Sequence, residues 1–166
     1  MQNAKISRGH LIKTQHVVVL LPINNSSGIL MQLRDINPDI SFPGCWGFFG
    51  GSIEAGENAS QAALRELFEE LSIIPETIYA LGSEVRINDL ADVISTAFTF
   101  QLFSPVNSID LSEGLDLRFL SIEDIELGYA YSKKMDRTFP IVQTSYIRKM
   151  MESCIQFWSE RGKEDA

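Results

Sequence analysis

Gly-Ser-Ile-Glu-Ala-Gly-Glu-Asn-Ala-Ser-Gln-Ala-Ala-Leu-Arg-Glu-Leu-Phe-Glu-Glu-Leu-Ser-Ile, residues 51–73, is the stretch on which the fold of this chain turns. Its second half reads as a helix, with Asn58 as N-cap and no breaker until Pro75. Leu64, Leu67, Phe68 and Leu71 fall at i, i+3, i+4 and i+7, an apolar stripe for a core. Glu66, Glu69 and Glu70 fall at i, i+3 and i+4. At about 100° per residue, their common direction lies roughly 160° from that stripe. Three carboxylates this close repel and raise one another's pKa, so an ordinary surface helix gains nothing from them. A divalent cation removes the repulsion, because Mg²⁺ and Mn²⁺ prefer hard oxygen ligands. For a Glu-Glu pair taken alone, a solvated acidic face is the plain alternative.

Composition agrees with the cation. The chain has 166 residues, 45% of them hydrophobic, enough for one domain over residues 1–166 with a real core. Twenty-two acidic against 14 basic residues give a formal charge of −8. With no Lys/Arg run, nucleic-acid polymers and anionic membranes are poor partners. An acidic protein acting on phosphates needs added cations, and metal ions supply them. Cys45 and Cys154 are far apart and lack metal-site spacing, which suits a reducing compartment. The first fifteen residues hold no long apolar region, and the longest apolar run, Val17 to Leu21, is too short to span a membrane. A cytoplasmic protein is the expectation, with a homodimer allowed for.

Outward from the helix, His16–Pro22 and Ile29–Arg34 read as strands joined by a turn at Asn24–Gly28. Asp35–Cys45, with Pro38 and Pro43, reads as a loop. Trp46–Ile53 is a short extended stretch broken by Gly47, Gly50 and Gly51. Ile78–Ile87 and Asp92–Phe103 form a strand pair joined at Asn88–Ala91. Leu115–Leu120 is a further strand, and Ser121–Ile125 a helical turn. Phe139–Glu160 is the second long helix, with Ile141, Tyr146 (or Ser145), Met150, Cys154 and Phe157 near helical spacing. Strands on both sides of a central helix, with a terminal helix to cover the other face, predict a mixed sheet between helices.

Residues 51–73 resemble the signature of the Nudix hydrolases, and of their MutT-like members in particular. That signature is Gly, five residues, Glu, seven residues, Arg-Glu, an aliphatic residue, any residue, Glu-Glu, any residue, Gly and an aliphatic residue. Here its positions are Gly51, Glu57, Arg65, Glu66, Leu67, Glu69, Glu70, Ser72 and Ile73. Only Ser72 departs, where the family has glycine; a serine in the left-handed conformation that closes a helix costs about 1–2 kcal/mol. The resemblance covers most of the chain and implies an α/β/α sandwich with a mixed β-sheet between helices. It implies that Glu66, Glu69 and Glu70 hold Mg²⁺, or Mn²⁺ in its place, with the carbonyl of Gly50, and that Glu57 and Arg65 form an ion pair orienting Glu66. Ser112–Ser121 is similar to a MutT-type segment whose glutamate reaches the metal site from a mobile loop. Glu113 is therefore a candidate metal-site carboxylate and general base, with Asp116 and Glu123 as fallbacks. A helix glutamate as the base stays open.

Fewer residues bear on the nucleotide itself. Arg34 ends a strand with the right charge for a phosphate, and Phe42, Trp46 and Phe48 are candidates to stack on a base, although each type is common in cores. His10 and His16 have no nucleophile assigned to them, so a Ser-His-Asp hydrolase is unsupported. The proline that marks ADP-ribose hydrolases in the family is replaced by Asp89, and the tyrosine of dinucleoside polyphosphate hydrolases and the pattern of coenzyme A hydrolases are missing. By elimination, the resemblance implies a Mg²⁺-dependent pyrophosphohydrolase cleaving a (deoxy)nucleoside triphosphate to monophosphate and pyrophosphate, with nucleotide sugars second. The rivals are a nucleotide-sensing module on the same fold, disfavoured by the intact carboxylates, and an isomerase, which wants an upstream cysteine in a context unlike that of Cys45.

Overall fold

The structure, a computed structural model, describes residues 6–7, 10–11, 13–25, 27–87 and 91–164. A short antiparallel pair, β1 (Ile6–Ser7) and β2 (His10–Leu11), leads into the long strand β3 (Lys13–Ile23). Along β3, Val18 and Leu20 face one core while Val19, Leu21 and Ile23 face another. A strand buried on both faces has no polar side, which is why this run is uninterrupted in its hydrophobicity. Asn24 closes the following turn: the Gly28 N–H donates to its Oδ1 at 2.8 Å.

β4 (Ile29–Leu33) meets β3 at Ile23↔Ile29 and then diverges from it. The next extended chain fills the opening. β5 (Trp46–Gly47) pairs with β4 at Gln32↔Gly47 and Leu33↔Trp46, whereas Phe49 and Ser52 bridge to Leu20 and Val17 of β3. Gly50 and Gly51 therefore lie in the fork between two strands, and the helix α1 (Ala59–Leu71) starts a few residues later. β6 (Tyr79–Ile87) runs antiparallel to β7 (Ala91–Gln101), which lies parallel to β3 from Lys13↔Ala91 to Ile23↔Gln101. After a 3-10 turn at Val106–Ser108, β8 (Asp116–Leu120) pairs antiparallel with β4. Then come α2 (Ile122–Leu127), the hairpin β9 (Tyr129–Ser132) and β10 (Arg137–Pro140), and α3 (Thr144–Glu164). The sheet order is β5-β4-β3-β7-β6, with β8 also on β4.

Each face of this mixed sheet carries a core. Ala62, Ala63, Leu67 and Leu71 of α1 pack with Val18, Leu20, Leu30, Phe49, Phe98 and Phe100. Ile125 of α2 and Ile147, Met150, Met151 and Cys154 of α3 cover Val19, Leu21, Ile29, Met31 and Leu33. This is the expected α/β/α sandwich.

Three expectations are corrected. The buried face of α1 is turned about a quarter of a revolution from the Leu64–Leu67–Phe68–Leu71 stripe: Leu67 and Leu71 are buried, but Phe68 is 57% and Leu64 40% exposed. The face that goes in is Ala62, Ala63, Leu67, Glu70 and Leu71. Secondly, residues 139–140 are strand, not helix; α3 begins at Thr144, and Ile141 bridges to Trp46. The hairpin β9–β10 is an element that the sequence pattern did not suggest. Thirdly, the segment around Glu113 is tethered, as described below. The join expected at Asn88–Ala91 lies, apart from Ala91, outside the described residues.

Candidate active site

The helix that carries the carboxylates is closed at both ends by its own sequence. Asn58 accepts from the Gln61 N–H and Gln61 Oε1 accepts from the Asn58 N–H, a reciprocal cap. At the other end Ser72 takes the left-handed conformation (φ 54°), and its N–H donates to the Phe68 carbonyl. A serine thus does what glycine does elsewhere, and the helix still stops in register with its glutamates.

Glu70 is the least exposed of the three glutamates, at 7%. Its Oε1 accepts from Gln32 Nε2 and its Oε2 from the Gly50 N–H, both at 2.9 Å. Burial pushes its carboxyl up to about 7; the two hydrogen bonds pull it down, and the charges of Glu66 and Glu113 push it further up. Glu66 is half-buried, and burial raises its carboxyl against the opposing pull of Arg65. Glu69 is exposed.

Arg65 ties this face together. Its Nε and Nη2 donate to the two carboxylate oxygens of Glu57 at 2.8 and 3.0 Å, and Nη2 also donates to the Ser52 carbonyl. Its Nη1 donates to Glu66 Oε1 at 2.8 Å and to Glu69 Oε2 at 3.1 Å. The bidentate pair holds the Glu57 carboxyl below the usual carboxylate range. The loop 52–57 is thereby fastened to the helix, and Glu66 is held in position.

Gly50 and Gly51 leave the space that the glutamates occupy. A Cβ on Gly51 would lie 2.2 Å from Glu66 Oε1, and one on Gly50 would lie 2.1 Å from the Val18 carbonyl oxygen. The Gly51 carbonyl is committed to the Val18 N–H, which leaves Gly50 as the glycine whose carbonyl is the ligand candidate. The donor set of Glu66, Glu69, Glu70 and a backbone carbonyl is all hard oxygen, which fits Mg²⁺ or Mn²⁺. The fit is of chemistry and position, not of finished geometry. Among the described residues no three acidic, histidine or cysteine side chains already converge as ligands, because Glu66 and Glu69 are turned onto Arg65.

Glu113 is exposed, on the segment before β8, and its negative charge bears on both Glu66 and Glu70. The structure therefore brings a carboxylate from a separate segment up to the helix. The segment is not loose: the Ser112 N–H donates to the Glu70 carbonyl and the Leu115 N–H to the Leu33 carbonyl, at 2.9 and 2.7 Å. The fallbacks have other tasks. Asp116 is buried and accepts from Ser132 Oγ at 2.6 Å, and Glu123 lies exposed on the first turn of α2.

The residues expected to meet the nucleotide divide. Trp46 is fully buried and donates from Nε1 to the Ala130 carbonyl, so neither ring face is open and stacking on a base is corrected. Phe48 is half-buried against the α3-side core. Phe42 is 45% exposed on a backbone with φ 54°, and Arg34 Nε donates to the Ser41 carbonyl at 2.8 Å, placing both on one loop. Sequence reasoning missed Gln32, which orients Glu70 from the penultimate position of β4. A lone amide in Ile-Leu-Met-Gln-Leu, where every neighbour is buried and apolar, was the available signal.

This fold and this carboxylate-bearing helix agree with the comparisons. The NUDIX domain family model matches residues 14–139, and the chain belongs to that family. An ADP-ribose pyrophosphatase of Methanocaldococcus jannaschii is 38% identical over 60 residues, 36% of this chain and 34% of that protein. A nucleoside triphosphate pyrophosphatase/Nudix hydrolase fusion protein of Bifidobacterium longum is 29% identical over 119 residues, 61% of this chain and 24% of that protein. The chain thus spans about a third and a quarter of the lengths of these curated relatives. The crystal structure of a MutT protein from Methanosarcina mazei superposes with a TM-score of 0.64 at 20% identity, covering 90% of this chain and 96% of that one, which shows the shared fold. No helix among the described residues is long and apolar enough to cross a membrane.

Proposed function

We propose that this chain is a divalent-metal-dependent pyrophosphohydrolase that cleaves a phosphoanhydride in a nucleoside diphosphate linked to another group, a (deoxy)nucleoside triphosphate first and nucleotide sugars second. The observation that carries the reading is the seating of Glu66 and Glu70 against Gly50–Gly51, where Gly51 leaves room for a carboxylate and nothing else. Glu66, Glu69, Glu70 and the Gly50 carbonyl would hold the ion. Bound there, Mg²⁺ would supply charge neutralisation for phosphate and a lowered pKa for an attacking water.

The residues of the chain supply the rest. Arg65, itself locked by Glu57 and the Ser52 carbonyl, positions Glu66 and gives up Glu69, whose exposed side chain turns at little cost. Gln32 and the Gly50 N–H each hold one oxygen of Glu70. Glu113, whose charge reaches Glu66 and Glu70 from outside the helix, is the candidate to take a proton from water; Glu66 is the alternative base. Arg34 and Phe42, on one loop, are the candidates for substrate contact.

The test is a phosphate-release screen with Mg²⁺ and with Mn²⁺ across (deoxy)nucleoside triphosphates, nucleotide sugars, ADP-ribose and dinucleoside polyphosphates. The expected result is triphosphate turnover to monophosphate and pyrophosphate. ADP-ribose belongs in the screen because a relative carries that activity in its name. Tenfold faster turnover of ADP-ribose or a dinucleoside polyphosphate than of every triphosphate would overturn the substrate assignment, and no turnover of any of them would overturn the enzyme.

A further inference from the structure

A cavity of about 880 Å³ lies beside β8, between the 3-10 turn at 106–108 and the turn joining β9 to β10. None of Glu66, Glu69, Glu70, Glu113, Gly50 or Gly51 lines it. Its walls differ in chemistry. Val106, Ile109, Leu117 and Phe119 make one side apolar. On the other stand Tyr131, Arg118, Lys133 and Lys134, so three cations face the cavity against one lining carboxylate, Asp116. In a chain with a formal charge of −8 this reverses the prevailing sign.

The cationic side is built, not incidental. Asp116 is buried and its charge is absorbed by donors: Ser132 Oγ at 2.6 Å, the Leu117 N–H at 2.8 Å and the Lys134 N–H at 3.3 Å. Those bonds clamp the lysine-bearing turn to β8, and the Met135 N–H donating to Ser132 Oγ completes the clamp. Arg118 is likewise fixed, by the Tyr131 carbonyl and by Asp124. Lys133 and Lys134 are exposed and make no ion pair among the described residues, so their charges are uncommitted. A volume of this size is that of a small-ligand pocket, on the order of 300–1,000 Å³. A lining that combines apolar side chains with uncommitted ammonium groups fits a molecule with a flat apolar body and an anionic head.

We propose that this cavity is a second ligand site, distinct from the carboxylate cleft, and that it takes an aromatic phosphate of mononucleotide size. The ring lies against Leu117 and Phe119, and the phosphate meets Lys133 and Lys134.

The binding arm of the test needs no catalysis, so its outcome can be told apart from the failure of the hydrolase reading; a hydrolysis arm then checks that the two sites are separate. Binding of AMP to the full chain is measured by amide chemical-shift perturbation and calorimetry in EDTA, which removes metal from the carboxylates. Shifts are expected at Ile109, Leu117, Phe119 and Lys134, with affinity lowered at least tenfold by Lys133→Glu/Lys134→Glu and by a smaller factor in the Gln pair. Adenosine and inorganic phosphate are each expected to bind at least fivefold more weakly than AMP. Metal-supported hydrolysis by the Lys133→Glu/Lys134→Glu protein is expected within twofold of wild type. Shifts confined to residues around Glu70, unchanged affinity in the lysine variants, or hydrolysis lost in step with binding would each overturn the second site. Phosphate binding as tightly as AMP would overturn the aromatic part of the assignment.

Discussion

α1 and α3 cover opposite faces of one sheet, but they use their sequences differently. α3 buries Ile147, Met150, Met151 and Cys154, an apolar stripe at i, i+3, i+4 and i+7. Of the residues singled out from the sequence, Met150 and Cys154 belong to it, Tyr146 and Phe157 are half-buried, and Ile141 precedes the helix. α1 leaves Leu64 and Phe68 in solvent and turns Glu70 inward. Burying a carboxylate while exposing a phenylalanine runs against the packing energy of both groups. The rotation is therefore a cost in stability, and what it yields is a pair of carboxylates, Glu66 and Glu70, seated against Gly50–Gly51. One helix is set by its core and the other by its site.

Glu70→Gln is the change that breaks this contrast most sharply. Activity is expected to fall 100-fold or more, because a metal-ligand candidate is lost. Stability should move the other way. The Glu70 carboxyl lies at about 7 in the folded protein against an ordinary 4.5, so the native state holds its proton more tightly than the unfolded chain does. The stability it contributes is full below about 4.5 and is lost as pH rises towards about 7. In EDTA, wild-type Tm should therefore decline more between pH 5 and pH 8 than that of the variant, which should melt at or above wild type at pH 8. A variant that keeps more than a third of wild-type turnover would remove Glu70 from the site. A variant melting several degrees below wild type at pH 8 would mean that the hydrogen bonds from Gln32 and Gly50 outweigh burial.

Glu113→Gln probes the segment that the helix does not provide. kcat is expected to drop about tenfold with KM little changed, and the acidic limb of the pH–rate profile to disappear. If the limb persists in Glu113→Gln and vanishes in Glu66→Gln, the base sits on α1. The smallest effect is expected at Phe68→Gln. An exposed position without a special contact contributes within about 0.5 kcal/mol, so chemical denaturation should barely register the change. A loss above 2 kcal/mol would show that this face of α1 is covered in solution.

Much of this was legible in the residues. Asn58 and Pro75 bracketed the helix, Glu57 and Arg65 pair as the resemblance implied, and His16–Pro22, read as a strand, lies within β3. The rotation of α1 was not legible, because periodicity ranks residues by hydrophobicity and cannot weigh a buried glutamate that has two donors waiting for it. Those donors, Gln32 on β4 and Gly50 in the fork between strands, come from other parts of the chain. Trp46 stood as a stacking candidate because the partner of its N–H, the carbonyl of Ala130, lies 84 residues away in the chain. The β9–β10 hairpin was hidden because its turn uses Asp136 at φ 52° instead of a glycine, and because its short strands alternate weakly. The tether on Glu113 is made by backbone groups, on which side-chain patterns are silent.

Gly50 and Gly51 are neighbours in the chain, yet a methyl group on each would meet a different obstacle. At position 50 the obstacle is the backbone of the central strand, which has nowhere to go; at position 51 it is the end of a glutamate side chain, which has. A genetic screen saturating both codons would thus read two different selections. Survivors at the first would report which substitutions still let the protein accumulate in cells, and survivors at the second which accumulated proteins still work. Adjacent codons would separate inheritance of the scaffold from inheritance of the chemistry.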